Sequence, residues 1–330
     1  MDINTIVSVS SLALKIFRTN YLETDIPILT FYNDKFIRKS YYGGATDYYK
    51  AYGENLYYYD INSLYPYAMC NPMPYKIIKK YNNMDNVKLD DFFGFCLTEI
   101  QCPENIDKPM LPLRYKGKTI FPKGKGVGTY FSEELKAVLP LGYKIKLLEG
   151  IEYSKIDLFT KYVNTFYKIK MTSTGSERWI SKQLLNCLYG VFGRKQIFIE
   201  TINVYNSEIA KYVVTNIIKT IIPINADILT LLIVKNIDSK LISELNNTCF
   251  VKMKNSHNSI KSNVSIASAI TSYARIYMMK FKINSDVYYT DTDSIFTKTK
   301  INPNLIGKEL GLMKEELNGL TIKKCYFLGI

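Results

Sequence analysis

The sequence predicts an α+β fold, and three observations carry that prediction. Two short aromatic and apolar segments, 56–61 and 286–297, read as strands that run into aspartates. Two longer stretches, 177–191 and 265–282, read as helices, with no proline in either and no glycine before Gly190. Between them, 92–131 is β-rich and turn-rich. With 330 residues, 47% of them hydrophobic, the chain can bury one large core or two ordinary ones.

In chain order, the first element is a helical patch around Leu12 to Phe17, followed by an irregular basic stretch. Tyr41-Tyr42-Gly43-Gly44 comes next. Its paired glycines permit backbone shapes or close approaches that a Cβ would block, though an ordinary turn has the same signature. After the strand at 56–61, Asn62 to Pro66 turns the chain and Tyr67 to Cys70 begins a helix. Pro72 and Pro74 then break regularity. Arg114 to Thr129 interleaves Arg114, Lys116, Lys118, Lys123 and Lys125 with four glycines. The GxxxxGK[ST] order is absent, so this is no phosphate loop; it reads as a basic hairpin, either beside a nucleic-acid backbone or in solvent. Ser132, with Glu133 and Glu134 behind it, is a good helix start. The most apolar stretch, Ile217 to Val234, is interrupted by Lys219, Pro223, Asn225 and Asp227, and reads as buried core rather than a membrane span. A polar loop is expected from Lys254 to Asn263.

Composition narrows the chemistry. The formal net charge of +13 suits a polyanionic partner, nucleic acid before an anionic membrane, although scattered solvated lysines would give the same number. The six cysteines form no CxxC pair and His257 is the only histidine. A structural zinc site, a disulfide framework and Ser-His or Cys-His catalysis are therefore not expected. Any metal would be held by carboxylates, which favours Mg²⁺ or a similar hard cation. The start, Met-Asp-Ile-Asn, carries no secretory or transit pattern.

Two aspartate clusters stand out: Asp60 after Tyr58-Tyr59, and Asp291 and Asp293 around Thr292 in Tyr288-Tyr289-Thr290-Asp291-Thr292-Asp293-Ser294. Aspartate is depleted in strands. In a regular strand Asp291 and Asp293 would share a face, where two like charges at ~4 Å repel by about 4 kcal/mol at an effective dielectric near 20. A tight turn would splay them, and divalent cations would offset the repulsion directly. If the strand ending at Asp60 is a neighbour, Asp60 and Asp293 converge on one ion pair, the arrangement that phosphoryl and nucleotidyl transfer use. On the 177–191 helix, Arg178, Lys182 and Asn186 fall at steps of four on one face, with Leu184, Leu185 and Leu188 free to face the core. That stripe is either a rail for a polyphosphate or a solvated amphipathic face.

Together these segments resemble the three polymerase motifs of family B DNA polymerases. Asp60 to Pro66 matches DxxSLYP, Lys182 to Gly190 matches KxxxNSxYG, and Tyr289 to Ser294 matches YxDTDS, in the family's order. Tyr41 to Gly44 resembles the YxGG element of the protein-primed branch, and Lys324-Cys325-Tyr326 resembles its KxY element. The likeness covers roughly 40–330 and is nearest to linear-plasmid polymerases of fungal mitochondria, then to protein-primed bacteriophage polymerases. It implies a polymerase palm, an antiparallel sheet backed by helices, with helical fingers and insertions. The implied parts are the end of an exonuclease domain and a linker at 1–44, palm at 45–72, and an insertion at 73–158. Fingers at 159–196, a second insertion at 197–262 and palm again at 263–330 complete the order.

By residue, the resemblance implies catalytic Asp60, Asp291 and Asp293. Asp60, Asp293 and the Ile61 carbonyl would bind two Mg²⁺ ions, with Mn²⁺ as a substitute. Ser63, Leu64 and Tyr65 would hold the dNTP, with Tyr65 excluding a 2′-hydroxyl. Arg178 and Lys182 would neutralise the triphosphate, and Asn186 and Tyr189 would line the nascent base pair. Tyr41, Gly43, Gly44, Gly190, Thr292, Lys324 and Tyr326 would contact primer or DNA. Implied partners are primed DNA template, dNTPs and a terminal-protein primer, with mitochondrial localisation; no membrane partner or oligomer is implied. Cys187 stands where serine is usual. The chain before Tyr41 is too short for a proofreading exonuclease and little follows Tyr326, so thumb and exonuclease are expected to be missing. Two readings stay open: an active template-directed polymerase, and an inactive remnant that keeps only DNA binding.

Overall fold

The structure, a computed structural model, describes residues 8–195, 198–235, 262–283 and 286–327. Two compact units emerge, Met1–Gly193 with Asn263–Ile330, and Arg194–Ser262. The first begins with α1 (Val9–Asn20), α2 (Phe31–Arg38), β1 (Thr46–Tyr48), β2 (Tyr52–Ile61), α3 (Leu64–Met69) and β3 (Met73–Tyr81). It continues through β4 (Gly94–Cys102), β5 (Leu113–Tyr115), β6 (Lys118–Ile120), β7 (Gly124–Phe131), α4 (Ser132–Val138) and β8 (Lys144–Ile156) to α5 (Thr160–Thr172) and α6 (Gly175–Phe192). The second unit holds β9 (Phe198–Tyr205), α7 (Ile209–Thr215), β10 (Ile217–Pro223) and β11 (Ile228–Lys235). The chain re-enters the first unit with α8 (Val264–Lys282), β12 (Val287–Asp291), β13 (Ser294–Thr297), β14 (Met313–Glu315) and β15 (Ile322–Tyr326).

The site is organised by an antiparallel sheet ordered β1-β12-β13-β2-β14, with β15 also pairing β2. Its alternation buries Tyr59 and Ile61 on one side. Against that side packs α8, most of whose residues are buried. Small residues along it (Ser265, Ala267, Ser268, Ala269, Thr271, Ser272) let neighbours come close. Asn263 starts it, its Oδ1 accepting from Ser265 N at 3.1 Å. α3, α6 and α8 share one core with Phe17 of α1 and Phe159 and Tyr162 beside them. A second sheet, β3-β8-β4-β7, builds its own core around Phe92, Cys96 and Tyr130. The mixed antiparallel-sheet and helix architecture is the α+β class expected.

Local expectations need correction in several places. The helix after Asp60 starts at Leu64, not Tyr67, because Ser63 takes a left-handed φ of 56° and turns the chain within one residue. α4 does start at Ser132, with Glu133 and Glu134 in its first turn, but Ser132 is not its cap: its hydroxyl accepts from Gly94 N and donates to Glu133, tying the helix to β4. The basic stretch before Tyr41 contains α2, capped by Thr30 and braced by Arg38 bonding Asp34 one turn back. Pro74 lies within β3, opposite Lys155; β3 is an edge strand, the place in a sheet where proline is tolerated. In the second unit, β9, β10 and β11 form a three-stranded sheet around Val204, Leu231 and Ile233. Ile221, Ile222 and Ile224 are exposed, so the apolar stretch is only partly core. Cys249, His257 and nearly all of the Lys254–Asn263 loop lie outside the described residues. No helix among the described residues is long and apolar enough to cross a membrane.

Candidate active site

β12 and β13 form a hairpin whose turn is Thr292-Asp293, closed by the Asp291↔Ser294 pair. Thr292 sits at φ 57°, and Asp293 N bonds back to Asp291 O at 2.6 Å. This turn splays the two aspartates, as a tight hairpin should. Asp291 stays exposed and accepts from Thr46 Oγ1 of β1 at 2.9 Å. Asp293 turns to the other side, where its carbonyl accepts from Ile61 N at 2.8 Å. On that side Asp60 pairs in register with Ser294. Residues 233 positions apart in sequence thus meet across one strand boundary.

The electrostatics of this pair are strained. Burial, then the Asp293 and Glu316 carboxylates, push Asp60 up from 3.8 to about 7, and Lys314 and Lys182 offset part of that rise. Asp293 is raised too, by burial first and Asp291 among the charges, with Lys182 opposing. Neither carboxylate has an ion pair within 4 Å among the described residues. Nor does any group of three or more His, Cys, Asp or Glu there stand ready to hold a metal ion. A divalent cation bound here would draw on two carboxylates and the Ile61 carbonyl, then on oxygens from water or substrate. Mg²⁺ is commonly held by one or two carboxylates plus phosphates. The donor set fits.

Beside the carboxylates, Tyr65 of α3 and Tyr189 of α6 stack with centroids 4.3 Å apart and planes 18° off parallel. Burial raises the Tyr65 phenol far above its usual range. Ser63 and Leu64 start α3, with Leu64 buried in the core. On α6, Arg178, Lys182, Asn186 and Gly190 form one exposed stripe, while Leu184, Leu185 and Leu188 are buried. Arg178 spends one donor on Lys170 O at 2.9 Å, so it also ties α6 to the end of α5.

The Tyr41–Gly44 segment touches the hairpin turn. Thr292 N bonds Ala45 O at 3.1 Å, and a Cβ on Gly44 would come within 2.5 Å of Thr292 Cγ2. Gly44 is therefore set by close approach, whereas a Cβ on Gly43 or Gly190 would meet nothing within 4 Å. Arg114 of the basic hairpin donates to Tyr41 O and lies over the Tyr42 ring. Lys324 and Tyr326 stand on β15, opposite Glu54 and Tyr52 of β2. Tyr326 is 72% exposed and packs on Tyr52, whose hydroxyl bonds Glu54. Lys324 is thus registered six residues from Asp60, about 20 Å along an extended strand, so it does not join the carboxylates.

The family model described as DNA polymerase type B, organellar and viral, matches residues 1–287. The chain belongs to this family. It is 37% identical over 339 residues to a probable DNA polymerase of Podospora anserina, covering 98% of this chain and 28% of that protein. It is 34% identical over 338 residues to a probable DNA polymerase of Neurospora intermedia, covering 96% of this chain and 33% of that one. Among solved structures, Phi29 DNA polymerase with primer-template DNA and incoming nucleotide substrates superposes with a TM-score of 0.71. The identity is 19%, over 97% of this chain and 54% of that one. The type B polymerase chain described here thus spans about a third or less of the length of these fungal relatives.

Two residues at this site, Lys170 and Arg275, escaped sequence reasoning, and a third, Asn62, was read only as the start of a turn. Lys170 of α5 is buried and donates to Ser63 Oγ at 3.0 Å. Burial, then Lys182 and Arg178, lower its pKa, while Asp60 opposes them. The three cations therefore form a cluster facing the carboxylates. The signal was Ser173-Thr174-Gly175, a helix-hairpin turn that folds 170 back beside 178 and 182; Gly175 has φ 56°. Asn62 anchors the turn after Asp60 by donating to Gly307 O and Leu312 O. Arg275 of α8 donates to Tyr42 O and Gly43 O at 2.9 and 2.8 Å, holding the glycine segment in place. No local pattern marks either.

Proposed function

We propose that this chain carries the nucleotidyl-transfer site of a DNA polymerase. The reaction is template-directed transfer from a dNTP to a primer 3′-hydroxyl, or to a hydroxyl of a terminal protein. One observation carries the reading: Asp60 and Asp293, on adjoining strands and both with raised proton affinity, face Lys182 across the site. Two Mg²⁺ ions, or Mn²⁺ in their place, would activate the attacking hydroxyl and stabilise the leaving oxygen. Asp60, Asp293 and the Ile61 carbonyl would hold them.

The remaining steps belong to the chain's own groups. Lys182 and Lys170, with Arg178, neutralise the triphosphate and the departing pyrophosphate. Amides at Ser63, Leu64 and Tyr65 orient it at the start of α3. Tyr65, braced flat against Tyr189, supports the sugar and leaves no room for a 2′-hydroxyl. Asn186 and Tyr189 line the base-pair pocket. Tyr41, Gly43, Gly44, Gly190 and Thr292 follow the template and primer, Asp291 sits at the primer terminus, and Lys324 and Tyr326 grip the primer strand. The setting we assign is replication of a linear plasmid in fungal mitochondria, as for the polymerases the motifs resemble.

The test is primer extension with purified protein, primed DNA, Mg²⁺ and one dNTP, beside Asp293→Asn. Extension by the parent chain, reduced at least ~10³-fold in the variant, is expected, since such ions supply several kcal/mol of transition-state stabilisation. Equal extension by both proteins removes the assignment. DNA binding without extension by either leaves the inactive DNA-binding remnant.

A further inference from the structure

Trp179 is the chain's only tryptophan, and it stands on the outer half of α6, 58% exposed. The inner half of that helix is ordinary: Leu184, Leu185, Leu188, Val191 and Phe192 are all buried. From Gly175 to Ile180, by contrast, every residue is exposed. This half of α6 stands clear of the core, and its largest apolar side chain points away from it. A single exposed apolar residue needs no special reason. What surrounds Trp179 on the helix supplies one.

Asn186 and Gly190 follow Trp179 at close to two and three whole turns, so the three share one side of α6. Asn186 and Gly190 are exposed, and a Cβ on Gly190 would meet nothing within 4 Å. This side is therefore open from the base-pair pocket assigned above out to Trp179. Arg178 and Lys182 flank it with positive charge. Glu177, the only acid on α6, lies two positions from Trp179 and so faces away from it. An aromatic face beside cations suits an unpaired nucleic-acid strand, because bases stack on the ring while the backbone meets the charge. Position says which base. Trp179 stands about 10.5 Å along the helix from Asn186, and stacked nucleotides rise about 3.4 Å each, so the indole lies about three nucleotides from the nascent pair. The base of a bound dNTP, at the pocket itself, stops short of it. The primer end lies the other way, where the inner end of α6 packs on α3 and Tyr189 stacks on Tyr65. Beyond the pocket only the template continues, and there it is unpaired.

We propose that Trp179 is a stacking platform for an unpaired template base about three nucleotides ahead of the nascent pair. The indole steadies the template strand before it is copied, and it tolerates any base because every base offers a π-face. This rests on the DNA-polymerase reading above.

The test uses the indole as its own reporter, since emission from the only tryptophan reads this site alone. The full chain is titrated with primed DNA bearing a thymidine template overhang, with the same DNA whose overhang is abasic, and with dATP alone. The thymidine overhang is expected to quench the emission, and the abasic overhang and dATP to leave it as in the free chain. In anisotropy titrations Trp179→Ala should bind the thymidine overhang about 5- to 150-fold more weakly, the range of one stacked base, and the abasic overhang as the parent does. Trp179→Phe should restore most of the loss. Trp179 is exposed, so both variants should stay folded by circular dichroism. If Trp179→Ala weakens both DNAs alike, the residue is merely structural and the proposal is overturned. If the parent chain binds both DNAs with equal emission and Trp179→Ala keeps its affinity, the platform is overturned and the polymerase reading stands. Quenching by dATP alone would give the indole to the incoming nucleotide and overturn the template assignment. If the parent chain binds no DNA, both readings fall.

Discussion

Two groups of charge lie within the same unit and are treated oppositely by the fold. Arg275 and Glu134 are 3% and 0% exposed and fully bonded: two guanidinium nitrogens reach both carboxylate oxygens at 2.6 and 2.8 Å. Ser272 and the carbonyls of Tyr42 and Gly43 take the remaining capacity. Asp60 and Asp293 are only half-buried, yet among the described residues no cation forms an ion pair with them and their proton affinity rises. The contrast teaches that burial alone does not mark a working charge. A buried pair whose valences are all filled holds the frame; carboxylates left short of partners at a turn wait for something to bind.

The largest effect should come from unbalancing the filled pair. Arg275→Met leaves Glu134 buried without its partner and is expected to cost about 3–5 kcal/mol in urea denaturation. Arg275→Met with Glu134→Leu should recover most of that. Asp293→Asn, by contrast, should leave stability unchanged or higher, because it relieves repulsion. If Asp293→Asn destabilised as much as Arg275→Met, the distinction between frame and working charge would fail.

Next is the contact that joins the glycine segment to the turn. Gly44→Ala drives a methyl into Thr292 and should cost about 1–3 kcal/mol, as overpacking does. Gly43→Ala meets open space and should keep the parent's denaturation midpoint. Equal midpoints for the two variants would mean that the turn yields freely.

A third effect is in pH dependence. The folded chain holds a proton on Asp60 up to about pH 7, whereas the unfolded chain releases it near 3.8. Between those values the folded state binds more protons, so metal-free stability should fall as pH rises from about 4 to 7. Asp60→Asn should show a shallower decline over that window in thermal melts. Identical slopes would place Asp60 in a more solvated setting than its burial implies.

Much of the carboxylate site was legible because its chemistry is written locally. Asp60 and the Asp291-Thr292-Asp293 cluster violate strand composition, and the step-of-four stripe on α6 needs only helical geometry. What was hidden depends on pairs distant in sequence. Lys170 enters the site only once α5 and α6 fold as a hairpin. The reason for Gly44 is the side chain of Thr292, and Arg275 acts through backbone carbonyls more than 230 positions away, at Tyr42 and Gly43. The early start of α3 was missed because Ser63 has a left-handed backbone that serine rarely adopts.

Everything functional rests on residues 60 and 293 sharing a divalent ion, and a Mn²⁺ titration followed by electron paramagnetic resonance reads this directly. The parent chain should deplete the free-Mn²⁺ signal, and Asp60→Asn and Asp293→Asn should each weaken that binding at least about tenfold while remaining folded. Undiminished Mn²⁺ binding by both folded variants would contradict the account.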